Sequence, residues 1–174
     1  MASQPICRPQ AGIGPARGFA DHAAGRTPVI QSALSITIHP DYRSKGLSHE
    51  MVKLMRQVAV DHGLRALIAP VRPSQKARYP LIPIENYIQW TTADGLPFDP
   101  WLRVHARAGA RIIQPCPRSM TVPGTRAEWE NWAGMPFPES GTYIVPGALV
   151  PVQVDVEKDE VRYIEPNVWV WHNL

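Results

Sequence analysis

The residues best suited to chemistry in this 174-residue chain form a short basic turn, Arg43-Ser44-Lys45-Gly46-Leu47-Ser48. Before the turn, the alternation of Leu34, Ile36 and Ile38 with polar residues predicts a β-strand that ends at Pro40. After the turn, helical spacing places one set of apolar residues on a common face: Leu47, Met51, Leu54, Met55, Val58 and Ala59. The first amides of a helix lack intrahelical acceptors and lie at the positive end of its dipole, so the turn is predicted to bind a phosphate-like anion.

The backbone of this turn supplies the predicted anion contacts. The amides from about Gly46 to Glu50 are expected to face the anion, and Gly46 lets the chain approach it without a Cβ in the way. Gly63 is placed to close the helix in a left-handed conformation, after which Leu64 to Ala69 forms a second apolar strand. A strand, a helix and a strand in this order predict a βαβ unit with parallel strands.

The turn also carries a family resemblance. Between a strand and a helix, Arg43 to Ser48 resembles the Gln/Arg-x-x-Gly-x-Gly/Ala signature of the GNAT superfamily of N-acetyltransferases, whose loop binds the pyrophosphate of acetyl-CoA. Arg43 and Gly46 match the signature, and Ser48 stands where glycine or alanine is usual. The resemblance implies acetyl-CoA as cosubstrate, no metal, and a set of cofactor-binding residues: Ile38, Arg43, Ser44, Lys45, Gly46, Leu47 and Ser48.

A second helix supplies the candidate catalytic residue. Asp99 is placed as its N-cap and Pro100 as its first residue, and Gly109 ends it. The stretch from His105 to Ala110 resembles the Tyr-x-x-x-Gly-Phe end of a GNAT helix, in which the tyrosine protonates the departing CoA thiolate. His105 takes that position, and histidine titrates near neutrality. The alternative is that His105 is a hydrogen-bonded core residue.

The resemblance implies an acyltransferase that moves an acetyl group from acetyl-CoA to an amine of a small molecule or peptide by direct attack. The alternative is a catalytically inactive GNAT-derived fragment, or a protein that only binds CoA or another anion. The expected fold is α/β (α+β): a GNAT-like mixed sheet around a central parallel strand-loop-helix-strand unit, truncated at its N-terminus and extended by a C-terminal β-hairpin. Residues 1–32 are predicted to be irregular or poorly ordered, and 33–174 to form a partial GNAT-like domain.

Composition narrows the classes of protein. A hydrophobic content of 44% and a mean hydropathy of −0.21 are ordinary for one globular domain. A net charge of +3 without long charge runs suits a phosphate-bearing cofactor as well as a nucleic acid. The basic stretch from Arg72 to Arg78 is too short for a nucleic-acid interface, so nucleic acid is not an expected partner. Cys7 and Cys116 have no metal-ligand spacing, which favours a reduced cytoplasmic setting. No apolar run is long enough to span a membrane, and a homodimer is one expected state.

The loop after the second strand and a later helix each have two interpretations. Arg72, Lys76 and Arg78 leave the carboxyl end of the strand, where α/β sheets bind ligands, but a solvated basic loop fits equally well. Thr125 and Glu128 predict a capping box that opens a short helix. Its two tryptophans, Trp129 and Trp132, favour packing over a substrate cage.

The C-terminal third is predicted to be mainly strands. Two short strands, Ala110 to Ile113 and Ser119 to Val122, precede a hairpin of 150–156 with 161–164. Glu165-Pro166 is expected to break that hairpin. Three residues near it are able to accept a proton from an amine, but are expected to be solvated strand-edge residues: Asp155, Glu165 and His172.

Overall fold

The computed structural model describes residues 14–174, which form one six-stranded mixed sheet with five α-helices. The strands are β1 Ile30–Ser32, β2 Ala66–Val71, β3 Arg111–Gly124, β4 Gly141–Tyr143, β5 Val152–Asp155 and β6 Glu160–Asn173. The helices are α1 Gly14–Ala23, α2 Leu47–Asp61, α3 Ile84–Tyr87, α4 Pro100–Arg107 and α5 Arg126–Ala133. Within this part of the chain, no helix is both long and apolar enough to cross a bilayer.

The sheet is organised around β6. One side of β6 pairs with β3 along most of its length, while the other side pairs with β5 near its start and with β2 near its end. The order is β1-β2-β6-β5-β4, with β3 off this path. Only β1 and β2 are parallel, and α2 connects them, so the predicted α/β mixed sheet with a parallel strand-helix-strand unit is confirmed.

The predicted strand at Leu34 to Ile38 is wrong. The strand that pairs with β2 is β1, Ile30–Ser32, and residues 33–39 are irregular. Alternation favours a strand only where a neighbouring strand completes the hydrogen-bond ladder, and no described strand pairs with residues 34–38. Helix α1 and β1 both lie within the segment predicted to be irregular, whereas residues 1–13 lie outside the described residues.

Helix α2 has the predicted bounds but a different buried face. Only Val52 and Ala59 are buried. Most of the predicted inward side chains are exposed: Leu47, Met51, Leu54 and Val58. Arg56, which is not part of the predicted apolar face, lies inward, since its Nη1 donates to the Ala108 carbonyl (2.7 Å) and its Nη2 to the Asn173 carbonyl (3.3 Å). These long-range contacts fix the rotation of the helix.

The local signals at the other helices are confirmed. Gly63 has φ +67° after α2. The Asp99 side chain accepts from the Trp101 and Leu102 amides at the start of α4, at 2.9 and 3.2 Å. Thr125 and Glu128 form the capping box that opens α5.

The two predicted strands after α4 are one strand. β3 runs from Arg111 to Gly124 with irregularities at 112–114 and 116–120. The hairpin of β5 with β6 is confirmed, but Pro166 does not break it. Pro166 lies where the facing chain is irregular, between the pairs of Glu165 with Met120 and Asn167 with Cys116. A proline lacks an amide donor, so a gap in the ladder is where a strand tolerates it.

Two hydrophobic cores lie along β6. The first packs the start of β6 against α5 and β5: Trp129, Phe137, Val145, Ala148, Val152, Val154, Val161 and Tyr163. The second packs its end against β2, α3 and α4: Ala69, Val71, Ile84, Tyr87, Leu102, Val168 and Val170. Between the two cores β6 carries polar residues, Glu165 and Asn167, and it is there that cavities open.

Candidate functional site

A groove opens where β1 separates from β2. The Ala33 amide still donates to the Ile68 carbonyl (2.8 Å), but β2 continues to Val71 with no strand on that side. The resulting cavity measures about 300 Å³. Its walls are the chain beyond β1 and the end of β2, and side chains of α2, α4 and β6 complete its lining: Met55, Trp101, His105, Glu165 and Asn167. Such a groove exposes backbone that an extended, amide-bearing ligand is able to pair with.

A buried histidine pair lies at this groove. His105, which lines it, has its Nδ1 3.0 Å from Nε2 of His172 on β6. Both residues are almost fully buried. His105 Nε2 and His172 Nδ1 are buried without a hydrogen-bond partner among the described residues. One ring of the pair donates and the other accepts, so the pair fixes the orientation of His105 and leaves its Nε2 without a partner in the described chain.

Burial keeps this pair neutral. Loss of solvent, together with a smaller effect of the nearby His172, lowers the pKa of His105 to about 4. Burial likewise lowers the pKa of His172 to about 4, assisted by the charge of Arg56 and opposed by the Ala108 carbonyl. At neutral pH both rings are therefore uncharged. A neutral imidazole has a lone pair that is able to accept a proton, but the lowered pKa makes it a weak base and makes its protonated form a stronger acid than an ordinary imidazolium.

A second polar group, the Arg72–Glu165–Tyr163 cluster, borders the groove through Arg72 and Glu165. Arg72 Nε donates to both carboxylate oxygens of Glu165, at 3.1 Å to Oε1 and 3.0 Å to Oε2. The Tyr163 hydroxyl donates to Oε2 at 2.8 Å. Glu165 is 3% exposed, so its negative charge is buried but paired. Burial, reinforced by the Glu165 charge, raises the pKa of Tyr163 to about 12, which keeps its hydroxyl protonated.

A second cavity, of about 200 Å³, adjoins this cluster. Trp129, Trp132 and Tyr163 form its aromatic walls, and the 145–148 segment and Ala133 close it. Arg72 lines both cavities, and Tyr163 connects the aromatic one to Glu165. The cluster therefore borders both cavities.

The basic turn before α2 has the predicted local geometry. Arg43 to Leu47 are exposed, and α2 begins directly behind them. Gly46 has φ +77° and α2 has no side-chain cap, so its first amides remain free. The free set is shifted from the predicted one, because the amides of His49 and Glu50 bond to the Gly46 carbonyl (3.0 and 3.3 Å). The amides of residues 44–48 have no acceptor within the described chain.

The structure places the other predicted residues as follows. Ile38 is not part of the groove lining, and its carbonyl accepts from Arg43 Nε at 3.2 Å. Arg72 lies in the cluster, while Arg78 is exposed. Lys76 is neither solvated nor near a cavity, since its Nζ is buried and donates to the Tyr79 and Leu149 carbonyls at 2.8 and 2.7 Å.

Other predictions also change with the tertiary structure. Trp129 is buried as expected, but Trp132 is 57% exposed. Glu165 and His172 are not solvated strand-edge residues, because β6 is the central strand and buries both. The period-2 pattern contained this signal: Glu165 follows Val161 and Tyr163 on one face, and His172 follows Val168 and Val170. No group of residues suited to hold a metal ion occurs in the described part of the chain.

The chain is similar to a curated protein and to a solved structure. It is 34% identical over 177 residues to arginine N-acetyltransferase avaD of Aspergillus versicolor, an alignment that covers 90% of this chain and 61% of that protein. The crystal structure of the loading GNATL domain of CurA from Lyngbya majuscula superposes with a TM-score of 0.54 at 20% identity, over 88% of this chain and 60% of that one. No family model matches the sequence.

These similarities agree with the resemblance carried by the basic turn. The chain spans about three fifths of the length of each of the two proteins it matches. The similarity to the curated protein extends over nine tenths of this chain, well beyond the turn itself, and the similarity to the solved structure is one of fold. With a parallel strand-loop-helix-strand unit that opens into a groove, the chain shares the fold of that GNATL domain, and over nine tenths of its length it is similar to an N-acetyltransferase.

Proposed function

We propose that this chain transfers an acetyl group from acetyl-CoA to an amine by direct attack on the thioester. The observation that carries the proposal is the groove at the separation of β1 and β2, which has free backbone along one wall and His105 in its lining. The amides of the pantetheine arm would pair with the open side of β2 beyond Ile68, and the thioester would lie at His105. The similarity to a protein named as an arginine N-acetyltransferase supports an amine acceptor.

The pyrophosphate of the cosubstrate would bind at the basic turn. The free amides of residues 44–48 and the positive end of α2 provide hydrogen-bond donors, and Arg43 and Lys45 add positive charge. Residues 33–48 form one continuous segment that leads from the groove to the turn. A diphosphate at the turn and a thioester in the groove are thus assigned to adjacent parts of the chain.

His105 would carry a proton from the attacking nitrogen to the leaving sulfur. The lone pair of a neutral amine forms the C–N bond at the carbonyl carbon, giving a tetrahedral intermediate with a protonated nitrogen. His105 Nε2, when Nδ1–H donates to His172, accepts one proton from that nitrogen. The C–S bond then breaks, and the imidazolium, a strong acid in this buried position, gives the proton to the thiolate. The products are an N-acetyl amide and the free CoA thiol, and His105 is neutral again.

Titration of the full chain with acetyl-CoA, followed by calorimetry, tests the donor half of this proposal. Saturable binding is expected, and Gly46→Val should weaken it at least tenfold, on the order of 1.4 kcal/mol. A side chain at position 46 has room in the unliganded protein but would occupy the space over the free amides. It would also disturb a left-handed backbone.

Gly95→Val is the matched control. Gly95 also has φ +77° and open space around its Cβ position, but it lies in the turn before α4 and away from the groove lining. Both variants carry the same backbone strain, so only the loss specific to Gly46→Val reports on the cosubstrate. Absence of any binding heat, or equal losses in both variants, would refute the site. Binding without thiol release across a panel of amines would favour the inactive, CoA-binding alternative.

A further inference from the structure

Glu165 has hydrogen-bonding capacity that the protein itself does not use. Its Oε2 accepts from Arg72 Nε and from the Tyr163 hydroxyl, whereas Oε1 accepts only from Arg72 Nε. A carboxylate offers about four lone-pair positions. Oε1 therefore has room for one more donor, and Glu165 is the acidic residue that lines the groove. An ammonium N–H is one such donor, because charge-assisted N–H groups make strong hydrogen bonds to a carboxylate, although here Arg72 already shares the charge.

The cluster around Glu165 is held rigidly. Arg72 Nη2 donates to the Gly147 carbonyl (2.8 Å), and the Leu149 amide donates to the Tyr163 hydroxyl (2.9 Å). Arg72 and Tyr163 are thus each fixed by a backbone group as well as by the carboxylate. A ligand meeting Oε1 would find a preformed position, which reduces the ordering cost of binding.

The aromatic cavity beside the cluster favours ligands that carry a flat group. Its lining contains two indole rings and a phenol but no acidic side chain. Trp129 and Trp132 lie with ring centroids 5.6 Å apart at 65°, and Trp132 leaves more than half of its surface uncovered. A flat group, whether a guanidinium or an aromatic ring, gains stacking energy on such a surface that a flexible alkyl chain does not.

We propose that the acceptor binds across the Arg72–Glu165–Tyr163 cluster, with its ammonium group on Glu165 Oε1 and a flat end group against Trp132 in the aromatic cavity. The ligand class is a primary amine that carries a planar, stacking terminus. This proposal rests on the proposed function, because it assigns the acceptor half of the same site. It places the amine in the same groove that the thioester would occupy.

Binding of amines to the full chain in the absence of acetyl-CoA tests this subsite without depending on acetyl transfer. Agmatine carries a guanidinium terminus, 4-phenylbutylamine carries an aromatic one, and hexylamine carries neither. At least one of the two flat amines should bind about tenfold more tightly than hexylamine, as measured by calorimetry. The tighter of the two identifies the planar group. Equal affinities for all three amines would overturn the proposal.

Two pairs of variants locate the binding. Trp132→Ala should lose about tenfold in affinity for the preferred flat amine, and Trp132→Phe should retain most of it, because the ring remains. Trp132 is exposed on α5, so neither change threatens the fold. Glu165→Gln keeps the shape but removes the charge, and it should weaken all three amines by at least tenfold.

The outcomes separate this subsite from the proposed function. If acetyl-CoA does not bind but the amines keep the expected order of affinities, the cosubstrate site is refuted and the acceptor subsite is supported. If the chain binds acetyl-CoA and releases thiol, but Trp132→Ala leaves the amine affinities unchanged, the acceptor binds elsewhere. If Glu165→Gln fails to fold, the Trp132 pair alone decides the question.

Discussion

The outer layers at the two ends of β6 differ in how completely they are covered. At its start, β6 packs into the first core, where Phe137, Val152 and Val161 are fully buried. At its end, β6 is buried in the second core, but the layer beyond β2 consists of a three-residue β1 and of α2, which leaves Leu54 and Val58 about half exposed. The proposed cosubstrate groove lies beside this outer layer. The contrast indicates that the cores contribute more to stability than α2 and β1 do, and that the thin layer leaves surfaces free for ligands.

The largest expected effect is a loss of stability on a substitution in the first core. Phe137→Ala should reduce the free energy of unfolding by about 3 to 5 kcal/mol, because it empties a fully buried ring position. Leu54→Ala, on α2, should change it by less than about 0.5 kcal/mol, because that side chain is 57% exposed. Urea unfolding of both variants measures the comparison. If the two variants lose similar amounts of stability, α2 is covered in solution and the difference between the two regions does not hold.

The next effect is a dependence of folding stability on pH, which arises from the buried histidine pair at the groove. In the unfolded chain a histidine has a pKa near its ordinary value of about 6.5, whereas burial lowers the pKa of both His105 and His172 to about 4. The unfolded state therefore binds more protons between these values, so stability is present above about pH 6.5 and is lost as the pH falls toward 4. Between pH 7 and pH 5 each histidine should cost about 2 kcal/mol.

Urea unfolding across this range measures the slope, and His172→Asn should reduce it by about half. Stability that stays constant from pH 7 to pH 5 would mean that the pair is solvated or already protonated in the folded protein. Because the pair lies beside β2 and α4, the loss should appear together with loosening of that end of β6.

The smallest of the three effects concerns the proposed proton carrier. His105→Gln should lower acetyl transfer by about a hundredfold, the lower range for general acid–base catalysis. Affinity for acetyl-CoA should change little, since the turn before α2 is untouched. Thiol release under saturating amine measures the rate, and calorimetry measures the affinity. A rate equal to that of the unmodified chain would show that His105 has only a structural role and that proton transfer proceeds through water.

The sequence alone determined the features that depend on near neighbours. The turn at Gly46, the closure at Gly63, the Asp99 cap and the Thr125 capping box each involve residues a few positions apart, whose geometry follows from local hydrogen bonds and steric limits. The family resemblance rested on the same kind of signal, a short motif between a strand and a helix. Distant packing is not needed to recognise such features.

The tertiary structure decided the features that depend on distant partners. Leu34 to Ile38 alternates like a strand, but no neighbouring strand continues the ladder, and this separation creates the groove. Glu165 and His172 look like edge residues until β2, β3 and β5 enclose β6. Burial, and the charge states that follow from it, arise from contacts across 60 to more than 90 positions, such as His105 with His172 and Arg72 with Glu165. The sequence provides these groups, but only folding brings them together.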